Sequence, residues 1–196
     1  MKINNSLINY YQEVSSDAPA PGGGSVCAYL IGLSIGLYLM SLRVSIKRKK
    51  FLELEEKIQN KVKSDIEQLE KINLDILTYV DKDIEVFNNF MKAYRSKEEQ
   101  QILKETKNCF MSPYNVLLNL FKASDIMLDN YQYVVKSIKS DLKISLIMLD
   151  ALYKATKENI EVNVINNDEE LLKLKNEAYD KMAFYQNKIS EVMNIL

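Results

Sequence analysis

The chain has 196 residues, with 26 Lys and Arg against 27 Asp and Glu, a formal charge of −1 and 47% hydrophobic residues. That length is expected to form one domain, 1–196, with a substantial core, and a near-neutral charge gives no electrostatic basis for binding nucleic acid. Histidine is absent, which excludes His-ligated zinc and the Ser-His-Asp and Cys-His arrangements, so acid–base chemistry has to come from Asp, Glu, Lys, Tyr or Cys.

Punctuation is concentrated near the start. All five glycines lie between Gly22 and Gly36, and after them Pro113 is the one remaining proline. Strands joined by tight turns need more Gly and Pro than this. The expected fold is all-α, an up-and-down helical bundle with a long central helix, and helices are predicted over 3–14, 24–46, 51–94, 97–109, 113–131, 137–163 and 168–195, with a break at 47–50. Cys27 and Cys109 form no disulfide framework and are what a reducing, cytoplasmic setting would show.

The second predicted helix is apolar from Val26 to Leu42 and is followed by Lys47-Arg48-Lys49-Lys50, so a membrane span has to be weighed. The run is short for a span and carries Ser34 and Ser41, and no secretory signal pattern precedes it. At 100° per residue Ser25, Ala28, Gly32 and Gly36 share one face, with Cys27, Ser34 and Ser41 on the opposite one. Small residues on both sides predict close neighbours on both sides. The reading is a buried helix of a bundle or of its homodimer interface, with no membrane.

Before this helix, Pro19 and Pro21 stiffen a loop that ends in Gly22, Gly23, Gly24 and Ser25. Glycine admits positive φ and close backbone approach, and a helix start offers unpaired N–H groups, so the loop suits an anion or oxyanion. Alternatively Ser25 or Asp17 simply caps the helix. Farther on, Asp83 stands beside an apolar stripe of Val80, Ile84, Phe87 and Met91. Asp141 adjoins a stripe running from Ile138 to Leu152 and is equally placed to begin a helix. Asn159 and Asn163, four apart, put two amides on one helical face, or mark a helix end. No cluster suggests a metal site.

The stretch "PAPGGGSVCAYLIGLSIGLYLMSLRVSIKRKKF" resembles the opening of the cyclodeaminase/cyclohydrolase family, which includes the cyclodeaminase domain of formiminotransferase-cyclodeaminase and the stand-alone methenyltetrahydrofolate cyclohydrolases. "VDKDIEVFNNFMKAY" is similar to its acidic stretch, with Asp83 and Phe87 at the matching spacing. "SPYNVLLNL", "KSDLKIS" and "ALYKATKENIEVNVINNDEE" resemble its proline-bearing helix start, Ser-Asp element and Asn-containing helix end. The likeness runs from about Val14 to Asp168. Three departures stand out: Lys47 in place of a glycine, Ser96-Lys97 in place of Pro-Lys, and Lys154 where glycine is usual.

The resemblance implies an oligomeric enzyme, a homodimer or larger, acting on a tetrahydrofolate derivative without a metal. It makes Asp83 the first choice for the catalytic carboxylate and Asp141 the second. Pro21, Gly22, Gly23, Gly24 and Ser25 would hold the ligand, Asn159 and Asn163 would meet its pterin ring, and Lys49 and Lys50 would reach its glutamate carboxylates. Hydrolysis of methenyltetrahydrofolate to formyltetrahydrofolate is the expected reaction. The alternatives are ring closure of formiminotetrahydrofolate with loss of ammonia, or a helical folate-binding module without catalysis.

Overall fold

The computed structural model describes residues 7–165 and 168–196. Among them there are seven α-helices and no strand: α1 (Leu7–Val14), α2 (Gly23–Ser45), α3 (Lys49–Leu52), α4 (Glu56–Ser96), α5 (Glu99–Asn130), α6 (Lys139–Glu161) and α7 (Glu169–Ile195). Positions 3–6 of the first predicted helix, and Asn166 and Asn167 before the last, lie outside the described residues. The all-α expectation holds.

Chain direction follows from cross-helix pairs. Ser34 and Ser145 bond to each other's carbonyls across α2 and α6 (both 2.8 Å), while the Val135 N–H, just before α6, donates to Ser45 Oγ (3.0 Å), so α2 and α6 are antiparallel. Asn130 donates to Asp65 and Asn119 to Asp75, which sets α4 antiparallel to α5. α2 packs mainly between α4 and α6. At about 1.5 Å per residue α4 runs for roughly 60 Å, and it is the long helix of the bundle. On the far side, Phe121, Tyr153 and Tyr185 stack with centroids 5.2–6.0 Å apart and join α5, α6 and α7.

α2 is long and apolar enough to cross a membrane, yet its polar side chains are used inside the bundle. Ser25, Ser34, Ser41 and Ser45 are fully buried, and each hydroxyl donates to a carbonyl: Val80, Ser145, Leu37 and Ser41 respectively. Ile31, Ile35, Tyr38 and Leu42 are also fully buried; each large apolar side chain so placed contributes on the order of 1.5–3 kcal/mol of burial.

Two boundaries differ from expectation. The break after α2 is longer than 47–50: a turn at 46–48, the single turn α3, and a second loop before Glu56. Phe51 points into the core from α3, and Gln59 Nε2 donates to the Leu52 and Leu54 carbonyls (3.1 and 2.9 Å), closing that loop. The predicted helices 97–109 and 113–131 are one, because Pro113 lies inside α5. Proline has no N–H, so the Cys109 carbonyl loses its helical donor there; burial of Phe110, Val116 and Leu117 on the same helix outweighs that loss.

α4 ends at Lys97, whose φ of 62° and ψ of 20° are left-handed. A Cβ is costly in that region, and glycine is the usual occupant of this cap. Lys97→Gly is expected to stabilise the protein by about 1 kcal/mol, read as a melting temperature higher by about 2–4 °C. A lower melting temperature would count against the cap.

Candidate active site

The first turn of α2 meets the middle of α4. Ser25 N–H donates to Asp83 Oδ2 (2.9 Å), and the Ser25 hydroxyl donates to the Val80 carbonyl (2.9 Å) while pairing with the Tyr10 hydroxyl (2.9 Å). The cap at Gly22 uses no side chain. So neither Ser25 nor Asp17 caps α2: the helix start is occupied by a carboxylate from 58 residues away. An anion does lie at the positive end of α2, as the N–H groups favour, and it belongs to the protein.

Gly23 and Gly24 are explained by approach, not by φ. Among the described residues no glycine has positive φ. A Cβ on Gly24 would run into the Asp83 carboxylate, 2.6 Å from its Cγ, and one on Gly23 would lie 2.9 Å from Asn159 Oδ1. Gly32 is closed in the same way by Leu77, whereas a Cβ on Gly36 would meet nothing within 4 Å.

Asp83 is largely withdrawn from water. That burial raises its pKa above the ordinary carboxylate value, opposed by hydrogen bonds from the Ser25 N–H and the Ser112 hydroxyl. Both cysteines of the chain feel the same charge. Burial, helped by Asp83, raises the Cys27 thiol and pushes the Cys109 thiol up to about 11, so both remain protonated at neutral pH and act as apolar lining.

In front of Asp83 opens a cavity of about 240 Å³, whose lining includes Gly22, Gly23 and Gly24 on one side, Phe87 and Cys109 on another, and the Asn159 and Asn163 amides. Asn159 Nδ2 donates to Cys27 Sγ (3.2 Å), and Asn163 Nδ2 donates to the Asn159 carbonyl (2.8 Å). Asn163 lies just past the end of α6, so the two amides are joined by a turn and not by one helical face. The volume is below the roughly 300–1,000 Å³ of sites that enclose a whole small molecule. It suits one end of a ligand whose remainder runs outside. Among the described residues no group of His, Cys, Asp and Glu could hold a metal ion.

The structure therefore brings Gly22, Gly23, Gly24, Asp83, Asn159 and Asn163 to one cavity, with Ser25 bonded to its carboxylate. Pro21 is buried in the loop beneath and joined to Ala20 by a cis peptide. The other three candidates lie elsewhere in the subunit. Lys49 and Lys50 follow the far end of α2, about 33 Å from Gly23 at helical rise, where Lys49 is exposed and paired with Glu53 (3.6 Å). Asp141 occupies the first turn of α6, about 27 Å along that helix from Asn159, and the cap there uses no side-chain hydrogen bond. The three departures also fall outside the cavity. Lys47 is in an exposed turn without positive φ, Ser96 closes the end of α4 by donating to the Ala93 carbonyl, and Lys154 pairs with Asp150 at 2.7 Å.

Cys109, Ser112 and Pro113 were not singled out as site residues from the sequence. Reading Pro113 as a helix start hid them, because an unbroken α5 is what turns Cys109 and Pro113 towards Asp83.

The fold is an all-helical bundle in which a half-buried carboxylate sits on a glycine-lined helix start, beside two amides and without histidine. The chain belongs to the formiminotransferase-cyclodeaminase family, whose model matches residues 6–181. It is similar to a methenyltetrahydrofolate cyclohydrolase of Methylorubrum extorquens, 21% identical with 100% of this chain and 91% of the relative covered. It also resembles the crystal structure of formiminotetrahydrofolate cyclodeaminase from Thermotoga maritima, with a TM-score of 0.87, 20% identity and coverage of 99% and 98% of the two chains.

Proposed function

We propose that this chain is a cytoplasmic methenyltetrahydrofolate cyclohydrolase. The observation that carries the reading is a desolvated carboxylate, Asp83, at the wall of a cavity that also presents the Asn159 and Asn163 amides. Hydrolysis requires water to add to the electrophilic methenyl carbon and a proton to reach the departing ring nitrogen. A carboxylate whose pKa is raised by burial can take the first proton and return it to the nitrogen. The two amides offer both donors and acceptors to the pterin edge. The likeness to a cyclohydrolase over the whole chain supports this reading.

The second reading is formiminotetrahydrofolate cyclodeaminase, favoured by the family description and by the solved structure. Both reactions pass through the same methenyl carbon. Purified protein incubated separately with methenyltetrahydrofolate and formiminotetrahydrofolate decides between them. Accelerated loss of methenyl absorbance without ammonia supports hydrolysis, ammonia release with rising methenyl absorbance supports cyclodeamination, and folate binding without either leaves a non-catalytic module.

We also propose a homodimer formed about α2. Its outward line of Leu30, Leu33 and Met40 stays exposed, Leu33 by 48%, while Ile144 and Ile147 on α6 and Leu74 on α4 are exposed on the two helices that flank it. Such a surface is larger than scattered single apolar residues require. Gly36 lies on this helix with open space before it, so Gly36→Leu is expected to leave the helical circular dichroism intact and to yield a monomer by light scattering. A monomeric wild-type protein at micromolar concentration would refute the dimer.

A further inference from the structure

A second, much smaller space adjoins the same carboxylate. It shares Asp83 and Asn159 with the main cavity and is closed by Ser112, Thr156, Cys27 and Val116, leaving about 10 Å³ for the centre of a water-sized molecule. That is the lower limit for one buried water, which also needs two to four polar partners. Asp83 and the Asn159 amide line it, and the Ser112 hydroxyl, which donates to Asp83, keeps its oxygen free to accept from the seated molecule. The Thr156 hydroxyl is already committed to the Leu152 carbonyl (2.8 Å). With Gly24 and Val116 among its walls, a space of that size takes one water-sized molecule.

We propose that this niche seats the small reactant of the one-carbon reaction, one water molecule in hydrolysis or one ammonia molecule in cyclodeamination. The inference rests on the folate reading above. In hydrolysis the seated water bonds through oxygen to the methenyl carbon and gives one proton to Asp83. The bond from that carbon to one ring nitrogen breaks, the nitrogen takes the proton from Asp83, and the second water proton leaves as the formyl carbonyl forms, balancing the charge of the amidinium. In cyclodeamination the formimino group reacts in its protonated, amidinium form: the free amine nitrogen of the folate bonds to the formimino carbon and passes its proton to Asp83. The carbon–nitrogen bond to the leaving group breaks, and that nitrogen departs into the niche as ammonia with the proton. Asp83 faces the ligand cavity and the niche together, so no second acid is needed for either sequence.

A steric sieve follows. Ammonia matches water in size and in its ability to donate and accept, whereas methylamine carries an extra carbon that the niche cannot take. With methenyltetrahydrofolate as substrate, the protein is expected to accelerate ring opening by ammonia and not by methylamine at equal free-amine concentration. Val116→Ile, which directs one more methyl into the niche, is expected to lower turnover about 100-fold while the affinity for tetrahydrofolate itself, measured by calorimetry, changes less than threefold. Equal acceleration by both amines, a parallel fall in turnover and affinity, or no change in turnover would overturn the proposal. A high-resolution crystal structure of the wild-type protein supplies a readout that needs no activity: a solvent peak within hydrogen-bonding distance of both Asp83 and Ser112 is expected, and an empty niche refutes the seat. Failure of wild-type protein to bind tetrahydrofolate, with that peak present, would strike the folate reading and leave a water site of unassigned use.

Discussion

Asp83→Asn is expected to lower turnover by about 100-fold or more, the typical contribution of a positioned acid–base group, while tetrahydrofolate affinity changes little. Asn keeps the volume and can still accept the Ser25 N–H, but it cannot carry the proton. Stability should move the other way. Because burial raises the Asp83 pKa in the folded protein, the folded state holds its proton more tightly than the unfolded chain does. The wild-type protein therefore loses stability as pH rises from the ordinary carboxylate range through the raised pKa, and the loss is complete above it. Asn has no such term. The melting temperature of the variant relative to wild type should rise with pH across that window and then level off. Single-turnover rates and melting curves at several pH values check both halves; a near-normal rate would remove Asp83 from the proton path. Asp141→Asn is the control, expected to leave the rate within a few fold, since its position on α6 is remote from the cavity.

Gly24→Ala should be nearly as damaging to activity, for a steric reason. The added Cβ competes for the space of the Asp83 carboxylate, so the carboxylate has to swing away or the α2 start has to shift, and either breaks the 2.9 Å bond to Ser25 N–H. Overpacking of this kind costs about 1–3 kcal/mol, partly offset by the roughly 1 kcal/mol that Ala gains over Gly in a helix interior. The expected result is a turnover at least 50-fold lower, because misplacing the reacting group by about 1 Å costs on this scale, with only a modest drop in melting temperature. Two comparisons isolate the cause. Gly36→Ala, where the space is open, should raise helix stability without loss of activity. In an Asp83→Ala background, Gly24→Ala should no longer destabilise, since the clash partner is gone. A full stability penalty in both backgrounds would show that something other than the carboxylate meets residue 24.

The sequence made the helical class plain because glycine and proline are so unevenly placed, and it made α2 recognisable as a buried helix because small and hydroxyl residues recur around its circumference. Gly22 to Gly24, Asp83, Asn159 and Asn163 could be gathered by their family resemblance. What their types did not reveal is which neighbours require glycine at Gly23 and Gly24. Of the two local explanations, positive φ and close approach, it is approach that holds, and the groups approached belong to α4 and α6, which no local pattern encodes. Pro113 misled for a related reason. Proline usually ends a helix, and only the tertiary burial of Phe110, Val116 and Leu117 carries α5 through it. Lys49, Lys50 and Asp141 enter through the family resemblance, and their distance from the cavity is a distance within one subunit. Helical rise then carries them to the other end of the subunit, since a 23-residue helix separates what the sequence places close together.

The bond from Ser25 N–H to Asp83 gives the chemistry a built-in spectroscopic witness. One backbone amide, fixed at the first turn of a rigid helix, donates to the oxygen whose protonation state is proposed to change during catalysis. Its proton resonance should lie downfield while the carboxylate is ionised and move upfield as the carboxylate is neutralised, so that a single cross-peak in a nitrogen–proton correlation spectrum traces the titration curve of a group that itself has no convenient signal. With no histidine in the chain to confuse the neutral range, that trace can be assigned to the carboxylate by its disappearance in the Asn variant, and the same peak can then be followed as folate is added.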